Sequence, residues 1–435
     1  MYQALVDYIR DKKILILGFG REGRSSYSFI KKHLPDKALT IADKNKIELE
    51  DKNVSLICGE NYLDCINDYD LVMKSPGIPF VGLDINENVE ISCQTDLFLR
   101  FIDCKSAGVT GTKGKTTTST LIYEMLKASG IDCCLIGNVG VPVFESIEDI
   151  KGKTAVIELS SHQLEFMHVS PDVAVLTNIY EEHLDHYDGF GGYVSAKLNI
   201  VRNQTAEDTF IVTDHQDISE FIDLSQVKPK VIKIGKNEDE KNEFFASLCG
   251  INDRLIGRHN YQDIFVAATA AMLLGADKES IKRAVEKFKG IEHRLEPVGE
   301  VCGVKFYNDS IATMPHAVMC NIEALGDTDT LIFGGLDRGL DYSDFCVQLE
   351  KCEVRNLIGL PETGHNICND MEKSGTKKTL VKAADMEDAV KQAFELTQKG
   401  KSCLMSPAAA SYNIYKDFSE KGRHFKDLVL ARKQS

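Results

Sequence analysis

Ala107-Gly108-Val109-Thr110-Gly111-Thr112-Lys113-Gly114-Lys115-Thr116-Thr117-Thr118 decides the fold. An apolar lead-in ends in a glycine-punctuated turn, and lysine and hydroxyl residues follow. Leu121, Ile122, Met125 and Leu126 then recur at helical spacing. The pattern predicts strand, loop, helix. Such a loop offers backbone N–H groups at a helix start, where a polyphosphate sits. Lys115 would reach the outer phosphates, and the Thr116 hydroxyl would hold Mg²⁺. The spacing is not that of a full Walker loop, which would need glycine where Val109 stands. It is the shorter T-G-x-x-G-K-T. The alternative is a glycine-rich turn with solvated lysines. It is outweighed because lysine, threonine and helix all fall where phosphate binding needs them.

Downstream, strands and helices alternate. Asp132–Ile136 runs into Gly137-Asn138-Val139-Gly140, and Thr154–Ile157 runs into Glu158 and Ser160-Ser161. Val173–Leu176 leads to Asn178 and then to Glu181-Glu182-His183-Leu184-Asp185. Alternation of this kind implies a mostly parallel sheet with helices on both faces. Glu158, Asn178 and His183 therefore fall just past strand C-termini, on the edge that carries the phosphate loop. A carboxylate there is a hard oxygen ligand suited to Mg²⁺. Imidazole is a poorer one, and only its neighbourhood singles out His183. Ser195–Val201 reads as a helix whose Lys197 looks solvated. Asn260, near the start of a helix over Tyr261–Leu274, either reads a base or caps the helix. Arg294, in Glu292-His293-Arg294, stands at a junction. There it either neutralises a γ-phosphate or makes a salt bridge.

Upstream, Lys13–Leu17 is an apolar strand followed by Gly18-Phe19-Gly20-Arg21-Glu22-Gly23 and a helix through Ser25, Phe29 and Ile30. A second strand, Ala38–Ala42, ends at Asp43. This is the G-x-G-x-x-G fingerprint with its acidic partner. Alone it suggests NAD and an oxidoreductase, but the same turn serves any diphosphate or simply packs a helix tightly. An oxidoreductase would leave Lys115 and Glu158 without a role. Ser75-Pro76-Gly77-Ile78-Pro79 is a rigid turn after a strand over Asp70–Lys74, where α/β sheets bind ligands.

The last segment is a third α/β unit. Its strands Val304–Tyr307, Thr330–Phe333 and Ser402–Met405 end in Asn308-Asp309-Ser310, Gly334-Gly335-Leu336-Asp337-Arg338-Gly339 and Ser406–Tyr412, and Asn356–Leu360 is a further strand. A chain of 435 residues accommodates about three domains. The boundaries fall at 1–103, 104–297 and 298–435. Net charge is −15 with no basic run, which argues against nucleic acid as a partner. No apolar run is long enough to span a bilayer, and the N-terminus has no signal-peptide pattern. A cytoplasmic, monomeric protein is expected. The 13 cysteines include no C-x-x-C pair, so reduced and mostly buried thiols are expected. The charged run over Lys236–Lys241 reads as a solvated loop.

Taken together, these motifs resemble the Mur ligases, ATP-dependent amide-bond-forming enzymes of peptidoglycan precursor synthesis. The markers are Thr110–Thr116, Glu158-Leu159-Ser160-Ser161, Asn178 with His183 and Asp185, Gly257-Arg258-His259-Asn260, and Glu292-His293-Arg294. They cover nearly the whole chain. The resemblance implies three domains: Rossmann-like, P-loop-type ATPase, and Rossmann-like again. Within the family it points to members that join glutamate to UDP-N-acetylmuramoyl-L-alanine. The pointers are Ser75-Pro76-Gly77-Ile78, Asn308-Asp309-Ser310, and Ser406–Ser411 followed by Phe418 and Gly422. A folate-acting relative would have no use for the N-terminal segment.

The resemblance also assigns roles. Gly111, Thr112, Lys113, Gly114, Lys115, Thr116 and Thr117 would hold ATP, with Asn260 near the nucleotide and Arg294 and Asp309 approaching it from the far side of the cleft. Thr116 and Glu158 would hold a first Mg²⁺. His183 and a carbamylated Lys197 would hold a second. Gly18, Gly20, Arg21, Glu22, Asp43, Gly77, Asn138, Ser160 and His183 would take the UDP substrate. Thr313, Arg338, Ser411 and Phe418 would take the amino acid, for which a guanidinium suits a carboxylate. The chain departs from the usual D-glutamate pattern at Lys113, Ile311, Met314-Pro315-His316 and Arg338. Asp309–Thr313 and Asp337-Arg338-Gly339 resemble a branch that attaches L-glutamate, so D-glutamate is expected as the acceptor by a narrow margin, with L-glutamate the alternative.

Overall fold

A computed structural model describes the chain except for residues 1, 139–141, 183–185, 215–217, 236, 253, 256–257, 338, 413 and 433–435, and the side chains of 239, 258 and 259. It forms two compact units. One is Met1–Asn252 with Arg258–Phe288, and the other is Asp253–Gly257 with Lys289–Ser435.

The first unit contains two parallel sheets. In the N-terminal one, Ile14–Leu17 is buried throughout, as a parallel strand covered on both faces must be. In space the order is Val54–Cys58, Leu39–Asp43, Ile14–Leu17, Leu71–Lys74, Glu90–Ser92. The chain departs from the Ile14–Leu17 strand in both directions, so the Gly18–Gly23 turn opens at the switch point. Gly18 has φ +87°, and a Cβ there would lie 2.8 Å from the Ser75 side chain, so glycine is needed on both counts. The helix after it, Arg21–His33, has the expected position.

In the second sheet the order is Lys230–Ile234, Thr209–Thr213, Val173–Leu176, Ser106–Thr110, Thr154–Glu158, Cys133–Gly137, again all parallel. Ser106–Thr110 is central and fully buried, and it feeds the phosphate loop and the helix Lys115–Ala128. The two sheets share one apolar core, in which the Phe29 and Phe144 rings lie 4.7 Å apart.

A buried carboxylate also ties the two halves of this unit together. Asp96, on the helix Gln94–Phe101, accepts bonds from Ser92 Oγ (2.7 Å), the His168 N–H (2.7 Å) and His168 Nδ1 (3.0 Å). Those bonds offset its burial and hold its pKa below the usual carboxylate range. Replacing Asp96 by Ala strands these donors and should cost about 2–4 kcal/mol in urea unfolding. A change under about 0.5 kcal/mol would contradict this account.

The second unit has one mixed sheet in the order Glu296–Val301, Val304–Asn308, Ser402–Met405, Thr328–Phe333, Asn356–Gly359, Thr379–Lys382. Only the pair Glu296–Val301 and Val304–Asn308 is antiparallel.

Three expectations need correction. The helix carrying Lys197 spans Gly189–Arg202 rather than starting at Ser195. Its glycines weaken helix propensity, but Phe190 and Tyr193 anchor the first turns, their rings 6.2 Å apart. Within the charged run, Glu238–Lys241 is a short helix, not a loop. All thirteen cysteines are free, but only Cys93, Cys368 and Cys403 are buried. Among the described residues no helix is long and apolar enough to cross a membrane.

Candidate active site

The phosphate loop is held from below by the loop after Val173–Leu176. Asn178 Oδ1 accepts from the Lys113 N–H (2.8 Å), and its Nδ2 donates to the Lys113 carbonyl (3.1 Å). Thr177 Oγ1 donates to that same carbonyl at 2.6 Å. Thr112 Oγ1 meets the Tyr193 hydroxyl at 2.9 Å and accepts from the Tyr180 N–H. Gly114 caps the following helix at φ +85°, and a Cβ there would come within 2.7 Å of the Asp263 carboxylate. Backbone and side chain thus fix the loop, which leaves Thr116 and Thr117 at the first turn of a 14-residue helix.

Two lysines converge on one atom of that loop. Lys115 Nζ and Lys197 Nζ each donate to the Gly111 carbonyl at 2.8 Å, and Lys115 also reaches the Thr112 carbonyl at 3.0 Å. Lys197 is not solvated as its sequence suggests: it is 1% exposed, with its ammonium 4.7 Å over the Tyr193 ring. Burial, and then the Lys115 charge, push its pKa well below the usual lysine value. Lys113 pairs with Glu182 at 2.7 Å.

Glu158 ends its strand beside the loop and is 1% exposed. Its Oε1 accepts from Asn138 Nδ2 at 2.8 Å, while its Oε2 is buried with no hydrogen-bond partner. A buried, unsatisfied carboxylate oxygen is costly unless a cation meets it. That fits a Mg²⁺ ligand.

Around the N-terminal turn, Asp43 is committed to the turn itself. Its Oδ2 accepts from the Phe19 N–H at 2.7 Å. Glu22 accepts from Gln163 Nε2 at 3.0 Å, and burial raises its pKa. Ser160 caps the short helix Ser161–Leu164 in a reciprocal pair with Gln163. Gly20, Arg21, Gly77 and Asn138 are exposed. Asn260 lies in the first turn of the helix Arg258–Leu273.

In the second unit, Arg294 is half-buried and its Nε has no partner. Its neighbours His293 and Leu295 both adopt positive φ (66° and 41°), a strain of the kind that collects at functional sites. Asp309 is buried and accepts from Ser406 Oγ (2.6 Å), Asn321 Nδ2 (2.6 Å) and the Leu295 N–H (3.1 Å). Burial lifts its pKa to about 6. Ser411 is buried with an unpartnered Oγ, Thr313 is exposed, and the Phe418 ring lies 6.0 Å from His293. Glu292, His293 and Glu296 cluster closely enough to suggest a metal, but Lys426 already pairs with both glutamates at 2.7 and 2.9 Å.

His183, Asp185, Gly257 and Arg338, and the side chains of Arg258 and His259, lie outside the described residues. Sequence reasoning missed Tyr193, Thr177 and Asp263. Of these only Tyr193 left a signal, since it stands four residues before Lys197 on one helix face.

Comparison with known proteins gives the family and the fold. Residues 109–271 match the Mur ligase middle domain, and residues 293–409 match the Mur ligase, glutamate ligase domain. The UDP-N-acetylmuramoylalanine--D-glutamate ligase of Acetivibrio thermocellus is 35% identical, covering 97% of each chain. That of Clostridium botulinum strain 657 is 33% identical over 98% of each. The fold is shared with the Thermotoga maritima MurF ligase solved in complex with ADP (TM-score 0.59, 16% identity, 98% of this chain and 96% of that one). It is also shared with the UDP-N-acetylmuramate-alanine ligase MurC of the same organism (TM-score 0.56, 17% identity, 97% and 100%). With full-length relatives above 30% identity and both family domains matched in order, the chain belongs to the Mur ligase family.

Proposed function

We propose that this enzyme adds D-glutamate to UDP-N-acetylmuramoyl-L-alanine, using ATP, in the cytoplasmic assembly of peptidoglycan precursor. The observation that carries the reading is the T-G-x-x-G-K-T loop, whose Gly111 carbonyl gathers Lys115 and the buried Lys197. The names of the full-length relatives support the substrate pair. The proposed domains are 1–103 for the UDP substrate, 104–297 for ATP and 298–435 for the amino acid. The proposed enzyme is a monomer.

In the reaction a carboxylate oxygen of the donor attacks the γ-phosphorus, and ADP leaves. The glutamate amine then attacks the acyl phosphate carbon, phosphate departs, and the amine gives up a proton. Both steps bring anions together. Lys115 and the loop N–H groups hold the phosphates, and Arg294 is proposed to meet the γ-phosphate. Thr116 and Glu158 would hold one Mg²⁺, and His183 with Lys197 a second; the metal supplies screening of the clustered oxygens. Lys197 suits carbamylation because burial favours its neutral amine. That amine attacks CO₂, a proton leaves, and an anionic carbamate results. The new charge would turn the repulsion from Lys115 into attraction. On the donor side we assign Gly18, Gly20, Arg21, Glu22, Asp43, Gly77, Asn138 and Ser160. For the acceptor we assign Thr313, Arg338, Ser411 and Phe418.

Phosphate release, measured with each glutamate enantiomer, tests this. Release should require the UDP donor and D-glutamate together. Release without either substrate would refute the ligase. The departures at Ile311 and Arg338 favour a second reading, in which L-glutamate is the acceptor, and release with L alone would establish it.

A further inference from the structure

Lys421 lies on the helix Phe418–Ala431 and is 2% exposed, one of the largest fully buried side chains of the protein. An ammonium has three N–H donors to satisfy. Lys421 Nζ makes one hydrogen bond among the described residues, to the Gly334 carbonyl at 2.7 Å. No described carboxylate faces it: burial is the only influence on its pKa, which falls to about 7. A cation placed this way is expensive to bury without an anion.

Its surroundings are built of strand ends. Gly334 closes the strand Thr328–Phe333, and its N–H donates to the Pro407 carbonyl at 2.8 Å. Two residues on, the Leu336 N–H donates to the Ala410 carbonyl at 2.8 Å. The Gly334–Leu336 and Pro407–Ala410 segments therefore run side by side, and Lys421 attaches at the start of the pair. Gly422, the next residue, packs so closely that a Cβ would lie 2.4 Å from Ser310 Oγ and 2.3 Å from His293 Nδ1. Two hydroxyls at this sheet edge, Ser310 Oγ and Ser411 Oγ, are fully buried and have no partner. One incompletely bonded ammonium and two unpartnered hydroxyls converge on the C-terminal end of the same parallel strands, where α/β sheets bind ligands.

We propose that Lys421 is a binding residue for a carboxylate of the acceptor amino acid, supplying its counter-charge beside Ser310 and Ser411. This rests on the ligase reading and extends it to a residue outside the motifs that suggested it.

The test is steady-state phosphate release by wild type, Lys421→Met and Lys421→Arg, with thermal melts of each. The glutamate enantiomer used is the one wild type accepts. Losing a charge-assisted contact should raise the glutamate KM of Lys421→Met roughly ten- to a hundredfold. The ATP KM should stay within about twofold, and Lys421→Arg should recover most of the loss. An unchanged glutamate KM in Lys421→Met, or equal rises in every KM, would overturn the proposal and leave Lys421 as a brace on Gly334. Should Lys421→Met fail to fold, wild type still decides the matter. Calorimetry at pH 7.5 in buffers of different ionisation enthalpy, with donor and a non-hydrolysable ATP analogue present, should show proton uptake on glutamate binding. That uptake should vanish in Lys421→Arg, and no uptake in wild type would refute the assignment. If wild type shows no glutamate-dependent phosphate release at all, the ligase reading fails first.

Discussion

Lys115→Ala should lower kcat/KM for ATP roughly a hundred- to a thousandfold and leave the melting temperature nearly unchanged. The size follows from what the side chain meets. It sits at the first position of the helix Lys115–Ala128, within 3.0 Å of the carbonyls that shape the loop. A triphosphate there would offer it oxygens in place of those carbonyls. Phosphoryl transfer gives the protein little covalent work, so a lost cation appears almost wholly in the barrier. Stability should survive because the loop has other supports. Asn178, Thr177, Tyr180 and Tyr193 hold it without Lys115. Lys115→Arg should not restore full rate, since a planar fork does not reproduce a compact ammonium. Phosphate release at varied ATP, paired with a melt, checks both halves. A fall in melting temperature that accounts for the lost activity would show the lysine to be structural.

The parallel sheets were legible because their strands are short apolar runs ending in recognisable turns. Val173–Leu176 and Ser402–Met405 match the expected spans to the residue. What escaped was mostly edge strand. Val54–Cys58, Lys230–Ile234 and Thr379–Lys382 lie at sheet margins and are only half-buried, so polar residues interrupt their pattern. Thr209–Thr213 escaped for a different reason: it is buried throughout, but no motif adjoins it to draw notice. Site residues divide the same way. Lys115 and Glu158 announce themselves through spacing and strand ends. Tyr193 and Asp263 act through contacts distant in sequence, which no local pattern encodes. Lys421 looks like one more helix-face lysine between Glu420 and Arg423, and only its burial sets it apart.

Lys197→Ala should cost at least about a hundredfold in phosphate release, and millimolar formate or acetate should return part of it. Alanine removes a buried amine, and the space it leaves, beside the Gly111 carbonyl and the Tyr193 ring, is of a size to admit a small carboxylate. Such an ion supplies the two oxygens and the negative charge that a carbamate would carry. A lysine serving only as a cation could not be replaced by an anion, so the sign of the rescue separates the two roles. Acidity gives a second handle on wild type. Carbamylation releases a proton, so lowering the pH returns Lys197 to its amine and then to its ammonium. With CO₂ removed, wild-type activity should fall as pH drops, and added bicarbonate should restore it. Lys197→Ala should ignore bicarbonate at concentrations that saturate wild type. Full activity in Lys197→Ala would rule out the carbamate role, and rescue by methylamine in place of formate would reverse the sign of the charge required there. The two lysines would then be left repelling each other across one carbonyl, an arrangement with no advantage for binding phosphate that Lys115 alone lacks.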